Sequence, residues 1–156
     1  MKKHLKNPII QFFIKAFLLY LLWYIVYDKW INTHTKADLI IIDLLIEQSS
    51  FIIESLGYIL IDMPYNADYR TLGLDGTHGV WIGDPCNGLT IMALFSGFII
   101  AFPGKALKKL LYIPIGIILI HLVNLLRITA LAVISLEYEK YLEFNHTYTF
   151  TAIVYA

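Results

Sequence analysis

The chain has 156 residues, of which 58% are hydrophobic and 15% charged, and its formal net charge is zero. Soluble domains carry about a quarter charged residues, so this composition and a mean hydropathy of +0.66 point to a polytopic membrane protein. The neutral balance gives no support for nucleic-acid binding, and a single cysteine, Cys86, excludes a disulfide within the chain.

Lys2, Lys3 and Lys6 precede the first apolar run, Ile9 to Tyr27, which only Gln11 and Lys15 interrupt. At ~1.5 Å rise per residue it covers most of a ~30 Å hydrocarbon core. The run is long for the apolar region of a signal peptide, and no Ala-x-Ala site follows it, so an uncleaved anchor is expected. Next, Asp38 to Leu60 is apolar enough to cross, but Asp43, Glu47, Ser50 and Glu54 recur at helical spacing and form one polar stripe. An amphipathic helix on the outer surface or against the bundle is the expected form, in preference to a carboxylate row lining an ion path.

Residues 62–85 change character. Pro64, Asn66, Gly73, Asp75-Gly76, Gly79 and Gly83 supply turn chemistry, and Asp75-Gly76 is a hairpin signal. Thr71, Leu72 and Leu74, then Val80, Trp81 and Ile82, are expected as short flanking strands. Gly88 to Phe102 follows without a charge and stops at Pro103-Gly104. Lys105, Lys108 and Lys109 come next, before a run from Leu110 whose apolar character continues to Leu136. Last, Tyr148 to Ala156 begins an apolar stretch too short to span, read as a final span cut short.

These elements make an all-α polytopic membrane bundle of about four transmembrane helices in one domain, 1–156. Spans are expected at about 9–27, 87–103, 109–136 and, incomplete, 147–156. An extracytoplasmic amphipathic helix and a short β-hairpin precede the cysteine-bearing helix. The positive-inside rule puts the N-terminus and the Lys105–Lys109 loop in the cytoplasm.

Depth follows from that shared loop. Cys86 lies 17 residues before Pro103, and Arg127 lies 18 residues after Lys109. Both helices climb roughly 25 Å, which brings both groups to the outer boundary, and His146 opens the last run at the same level. Singly, each has an ordinary reading: a small apolar thiol, a snorkelling arginine, a surface histidine. Pro85 and a helix expected to begin at Asn87 would place the thiol at a helix N-terminus, a favourable setting for negative charge. Asp84 opposes that charge or caps the helix. Arg127 is flanked by Leu125, Leu126 and Ile128, where a cation normally faces the bundle interior. His34, His78 and His121 compete with His146; His121 lies about 9 Å below Arg127 on the same helix. No His-x-x-x-His or Cys-x-x-Cys spacing supports a metal site.

Asp84-Pro85-Cys86-Asn87-Gly88-Leu89, Asn124-Leu125-Leu126-Arg127-Ile128 and Asn145-His146-Thr147-Tyr148 resemble the three motifs of the exosortase/archaeosortase family. The resemblance covers roughly residues 50–156 and is nearest to small, single-domain members, with the incomplete final span as a departure. It implies a membrane-embedded cysteine transpeptidase without a metal or organic cofactor. Cys86 would be the nucleophile, His146 the general acid/base and Arg127 the substrate or oxyanion stabiliser, with Asn87, Gly88 and Asn124 in support. The implied substrates are exported proteins carrying a C-terminal recognition motif, a transmembrane helix and a basic tail, a PEP-CTERM-like signal. The implied location is a bacterial inner membrane, with the active site facing the periplasm or exterior. Two rivals stand beside it: a non-catalytic scaffold or assembly subunit of a secretion or polysaccharide export system, in which Arg127 would pair with a carboxylate such as Glu54, and a transporter component.

Overall fold

A computed structural model describes residues 7–61 and 70–137. The described chain is mostly helical: α1 (Pro8–Val26), α2 (Asn32–His34), α3 (Ala37–Ser55), α4 (Leu89–Ala101) and α5 (Ala106–Glu137), with a two-stranded antiparallel sheet, β1 (Thr71–Leu72) and β2 (Val80–Trp81). Among the described residues, two helices are long and apolar enough to cross a membrane, Pro8–His34 and Ala106–Leu136, whereas Leu89–Ala101 is a shorter apolar helix. Pro64, Asn66 and the expected last span lie outside the described residues, as does His146.

The contacts gather into two compact units, one formed by residues 1–37 and 88–120, the other by 38–87 and 121–156. In the first, Asn7 caps α1 by accepting a hydrogen bond from the Ile9 N–H, and Pro8 occupies the first turn, where its missing donor costs nothing. The helix runs past the expected Tyr27 limit through a π-turn, Tyr27–Ile31, into α2. Its large apolar side chains, including Phe13, Phe17, Leu18, Leu22 and Ile25, stay exposed, as lipid contact requires. Phe12 meets Phe98 and Phe102 of the α4 end edge-on, with ring centroids 5.3 and 5.9 Å apart. A side chain at Gly116 would run into the Phe95 ring, so the close approach of α5 to α4 needs a glycine there.

Helix α4 is shorter than the expected 87–103 at both ends. It stops at Ala101 because Pro103-Gly104 follow, and Lys109 Nζ donates to the Ile100 carbonyl at its open end, 2.8 Å away. At its start, Gly88 takes φ +82°, a left-handed conformation, so the helix begins at Leu89 and not at Asn87.

The second unit supplies the core. Asp38, Ile42, Leu45, Ser49 and Ile53 recur at helical spacing along the buried face of α3. Asp43, Glu47 and Glu54 are exposed and Ser50 half-buried, so the stripe is a solvated or headgroup-facing side of an amphipathic helix. Ile42, Leu45 and Ile53 pack with Leu72, Leu74 and Ile82 of the hairpin and with Leu125, Ile128 and Ala132 of α5. Each such side chain contributes about 1.5–3 kcal/mol on burial. The hairpin pairs Thr71 with Trp81 and Leu72 with Val80, within the strands expected from the sequence. Gly76 (φ +85°) supplies the left-handed turn residue that Asp75-Gly76 promised. An isolated bridge from Leu60 to Leu74 ties the hairpin to the segment after α3.

Candidate active site

Three elements of the second unit converge on the turn that carries Cys86. The turn itself is a single 3₁₀ stretch, Asp84–Cys86, entered through extended Gly83. Pro85 fixes φ inside it, the Cys86 N–H donates to the Gly83 carbonyl at 2.9 Å, and the Asn87 N–H to the Asp84 carbonyl at 3.3 Å. This corrects the helix-terminus expectation for the thiol. Cys86 belongs to the turn, and α4 starts only beyond the left-handed Gly88.

Asp84 likewise does not cap α4. Its carboxylate pairs with Arg70 at the foot of β1, Nη1 to Oδ1 being 2.6 Å, with both side chains partly buried. The negative charge two residues before the thiol is thereby matched by a cation that the sequence reading passed over. Arg70 is held by the hairpin, since its carbonyl accepts from the Ile82 N–H at 2.8 Å.

From α5, Asn124 donates through Nδ2 to the Cys86 carbonyl at 2.9 Å, while itself 3% exposed. Asn124 and Arg127 stand three residues apart, so a helix puts them on one face. Arg127 directs Nη2 at the Cys86 sulfur, 3.8 Å away. The Arg127 Nε is buried and has no hydrogen-bond partner among the described residues. A buried donor without an acceptor is costly, about 1–3 kcal/mol. Leu125 and Ile128 on either flank are buried in the core, which fixes the rotation of this part of α5.

From α3, Asp38 accepts a hydrogen bond from Asn87 Nδ2, 2.5 Å apart, with both side chains buried. Nothing in the sequence distinguished Asp38 from an ordinary acid in a first helical turn, where the macrodipole favours it.

The remaining expectations sort plainly. Cys86, Asn87, Asn124 and Arg127 are brought together; Gly88 follows them in the chain at positive φ. His146 lies outside the described residues. His34 and His78 are exposed. His121 is engaged elsewhere, its Nε2 2.7 Å from Gln48 Oε1. Glu54 is exposed, so the pairing of Arg127 with that carboxylate, which a scaffold would use, is not what the side chain does.

Among proteins of known identity, Archaeosortase A of Haloferax volcanii is 36% identical over 92 residues. The match covers 55% of this chain and 30% of the archaeal protein's length. No solved structure matches the chain. The family model described as "Transmembrane exosortase (Exosortase_EpsH)" matches residues 7–152, a stretch that takes in the turn, the arginine and both helices long enough to cross a membrane; the chain belongs to that family.

Proposed function

We propose that this protein is a membrane-embedded cysteine transpeptidase that cleaves the C-terminal sorting signals of exported proteins. The observation that carries the proposal is the Arg127 guanidinium, aimed at Cys86 with a second, buried N–H that has no partner among the described residues. A cation and spare donor beside a sulfur stabilise the oxyanion that forms when that sulfur attacks a carbonyl. A scaffold has no need of that arrangement.

In the reaction, the Cys86 thiolate attacks the carbonyl carbon of the scissile peptide. The carbonyl oxygen becomes an oxyanion, and Arg127 stabilises it where low dielectric strengthens the interaction. The intermediate collapses as the C–N bond breaks, His146 gives its proton to the departing amine, and a thioester on Cys86 remains. His146 then takes a proton from an acceptor amine or water, which attacks the thioester carbonyl; the C–S bond breaks and the sulfur leaves as the thiolate, restoring the starting state. The substrate's own transmembrane helix presents the bond at a fixed depth, and its basic tail remains on the cytoplasmic side.

This reading places a single functional domain in a bacterial plasma membrane, with several spans, a cytoplasmic N-terminus and the site on the outer face. Co-expression with a tailed substrate, followed by intact-mass analysis, tests it. A covalent adduct on Cys86 is expected, and Cys86→Ala should abolish processing while leaving membrane insertion unchanged. Processed substrate from Cys86→Ala would remove the nucleophile assignment.

A further inference from the structure

Among the described residues, three different elements fasten the turn around Cys86. The hairpin holds Asp84 through Arg70, α5 holds the Cys86 carbonyl through Asn124, and α3 holds Asn87 through Asp38. The third fastening joins residues 49 positions apart and is the most deeply buried, with Asp38 6% and Asn87 1% exposed. A carboxylate removed from water is unfavourable unless its oxygens are matched. The first turn of α3 offers part of that match, because helix N–H groups favour negative charge there. The Asn87 amide adds a charge-assisted hydrogen bond, stronger than one between neutral groups.

We infer that Asp38 is a positioning residue, which locks the Asn87 amide and so holds the Cys86 sulfur against Arg127. The inference rests on the reading of Cys86 as the nucleophile. Asp38 touches Asn87 and acts through it; it donates and accepts no proton in the reaction. Its carboxylate is an acceptor only, so Asn87 must turn its NH₂ toward α3. The orientation of the residue next to the sulfur is then fixed from a helix outside the three sequence motifs. Without this fastening, the turn keeps its backbone hydrogen bonds and its ties to Arg70 and Asn124, but its Asn87 side is no longer held from α3, and the 3.8 Å approach of guanidinium to sulfur is loosened.

The single cysteine makes the test direct. The full chain in detergent or nanodiscs is alkylated with iodoacetamide, and the rate at Cys86 is read by mass spectrometry. Asp38→Ala should slow alkylation at least fivefold, because the sulfur leaves its contact with the Arg127 guanidinium. Unfolding would expose the thiol and speed the reaction, so a merely structural role moves the rate the other way. Asn87→Asp, which sets two carboxylates face to face, should also be slow. The exchange variant Asp38→Asn/Asn87→Asp restores the hydrogen bond with donor and acceptor reversed, and should react at least fivefold faster than Asn87→Asp alone. The exchange is read even where Asp38→Ala fails to assemble. The inference is overturned if Asp38→Ala reacts within twofold of the parent or faster, or if the exchange brings no recovery. Alkylation needs no peptide substrate, so these outcomes are separate from failure of the transpeptidase reading, which the Cys86→Ala processing assay reports.

Discussion

The Arg127 guanidinium lies 3.8 Å from the Cys86 sulfur, across 41 residues of sequence, and the hydrogen bond from Asn124 to the Cys86 carbonyl holds the two segments in that register. One helical turn of α5 therefore grips both the backbone and the side chain of the same residue. The grip explains why an arginine stands within an otherwise apolar sequence.

Arg127→Lys is expected to lower the rate of substrate processing by about 10²–10³, the range seen when a single oxyanion donor is lost. Lysine keeps the charge but has no planar fork, so it cannot address the sulfur and a neighbouring oxygen together. The measurement is the processing rate of a tailed substrate followed by immunoblot. A lysine variant with near-parental rate would reduce the role of Arg127 to bulk charge.

His146 and His78 make a matched pair of substitutions. If His146 transfers the proton, His146→Ala should cost at least about 10²-fold in processing, in line with the usual contribution of general acid–base catalysis. His78 is exposed in the hairpin loop, and His78→Ala should leave the rate within twofold. Reversal of that order would move the acid–base assignment to the hairpin.

The hairpin and the approach of Cys86 to Arg127 were legible in the sequence because both follow from local rules. Asp75-Gly76 dictates a turn, and counting helical rise outward from Lys105–Lys109 brings positions 86 and 127 to one level. The start of α4 was misread for an equally local reason. Pro85 is a good first-turn residue, but Gly88 adopts a left-handed conformation that ends the preceding turn before the helix begins. Asp38 and Arg70 were not legible as parts of the site. Their partners, Asn87 and Asp84, are 49 and 14 residues away, and no periodicity or spacing encodes a contact made only when α3, the hairpin and α5 close around a common core.

Gly88→Ala tests the break between turn and helix. At φ +82° a Cβ costs about 1–2 kcal/mol, which should appear as a lower unfolding temperature in detergent. Gly88→Asn should be milder, since asparagine tolerates the left-handed region better than alanine. Equal stability of all three chains would mean that the turn relaxes without strain.

The Arg70–Asp84 pair predicts a compensating effect on the thiol. Arg70→Ala leaves the Asp84 carboxylate without its guanidinium two residues from the sulfur, where its charge repels an electron-rich attacking sulfur. The side chains remain 22% and 33% exposed, so solvent limits the coupling to about 0.2–1 kcal/mol, or at most a factor of about five in rate. Iodoacetamide alkylation of Cys86 should slow by that factor in Arg70→Ala. Adding Asp84→Asn, which removes the unmatched charge, should recover most of it.

Asn124 separates hydrogen bonding from size. In Asn124→Ala the Cys86 carbonyl loses its donor in a buried setting, a cost of about 1–3 kcal/mol in stability, and the sulfur loses the tether that sets its distance from Arg127. Asn124→Asp is nearly the same shape, but its ionised carboxylate has no proton to donate and faces a carbonyl oxygen, so this variant should be the more damaged. Unfolding temperature and processing rate, measured together, should both rank parent above alanine above aspartate. If aspartate outperforms alanine in both, side-chain volume and not the donated hydrogen bond is what keeps α5 against the turn.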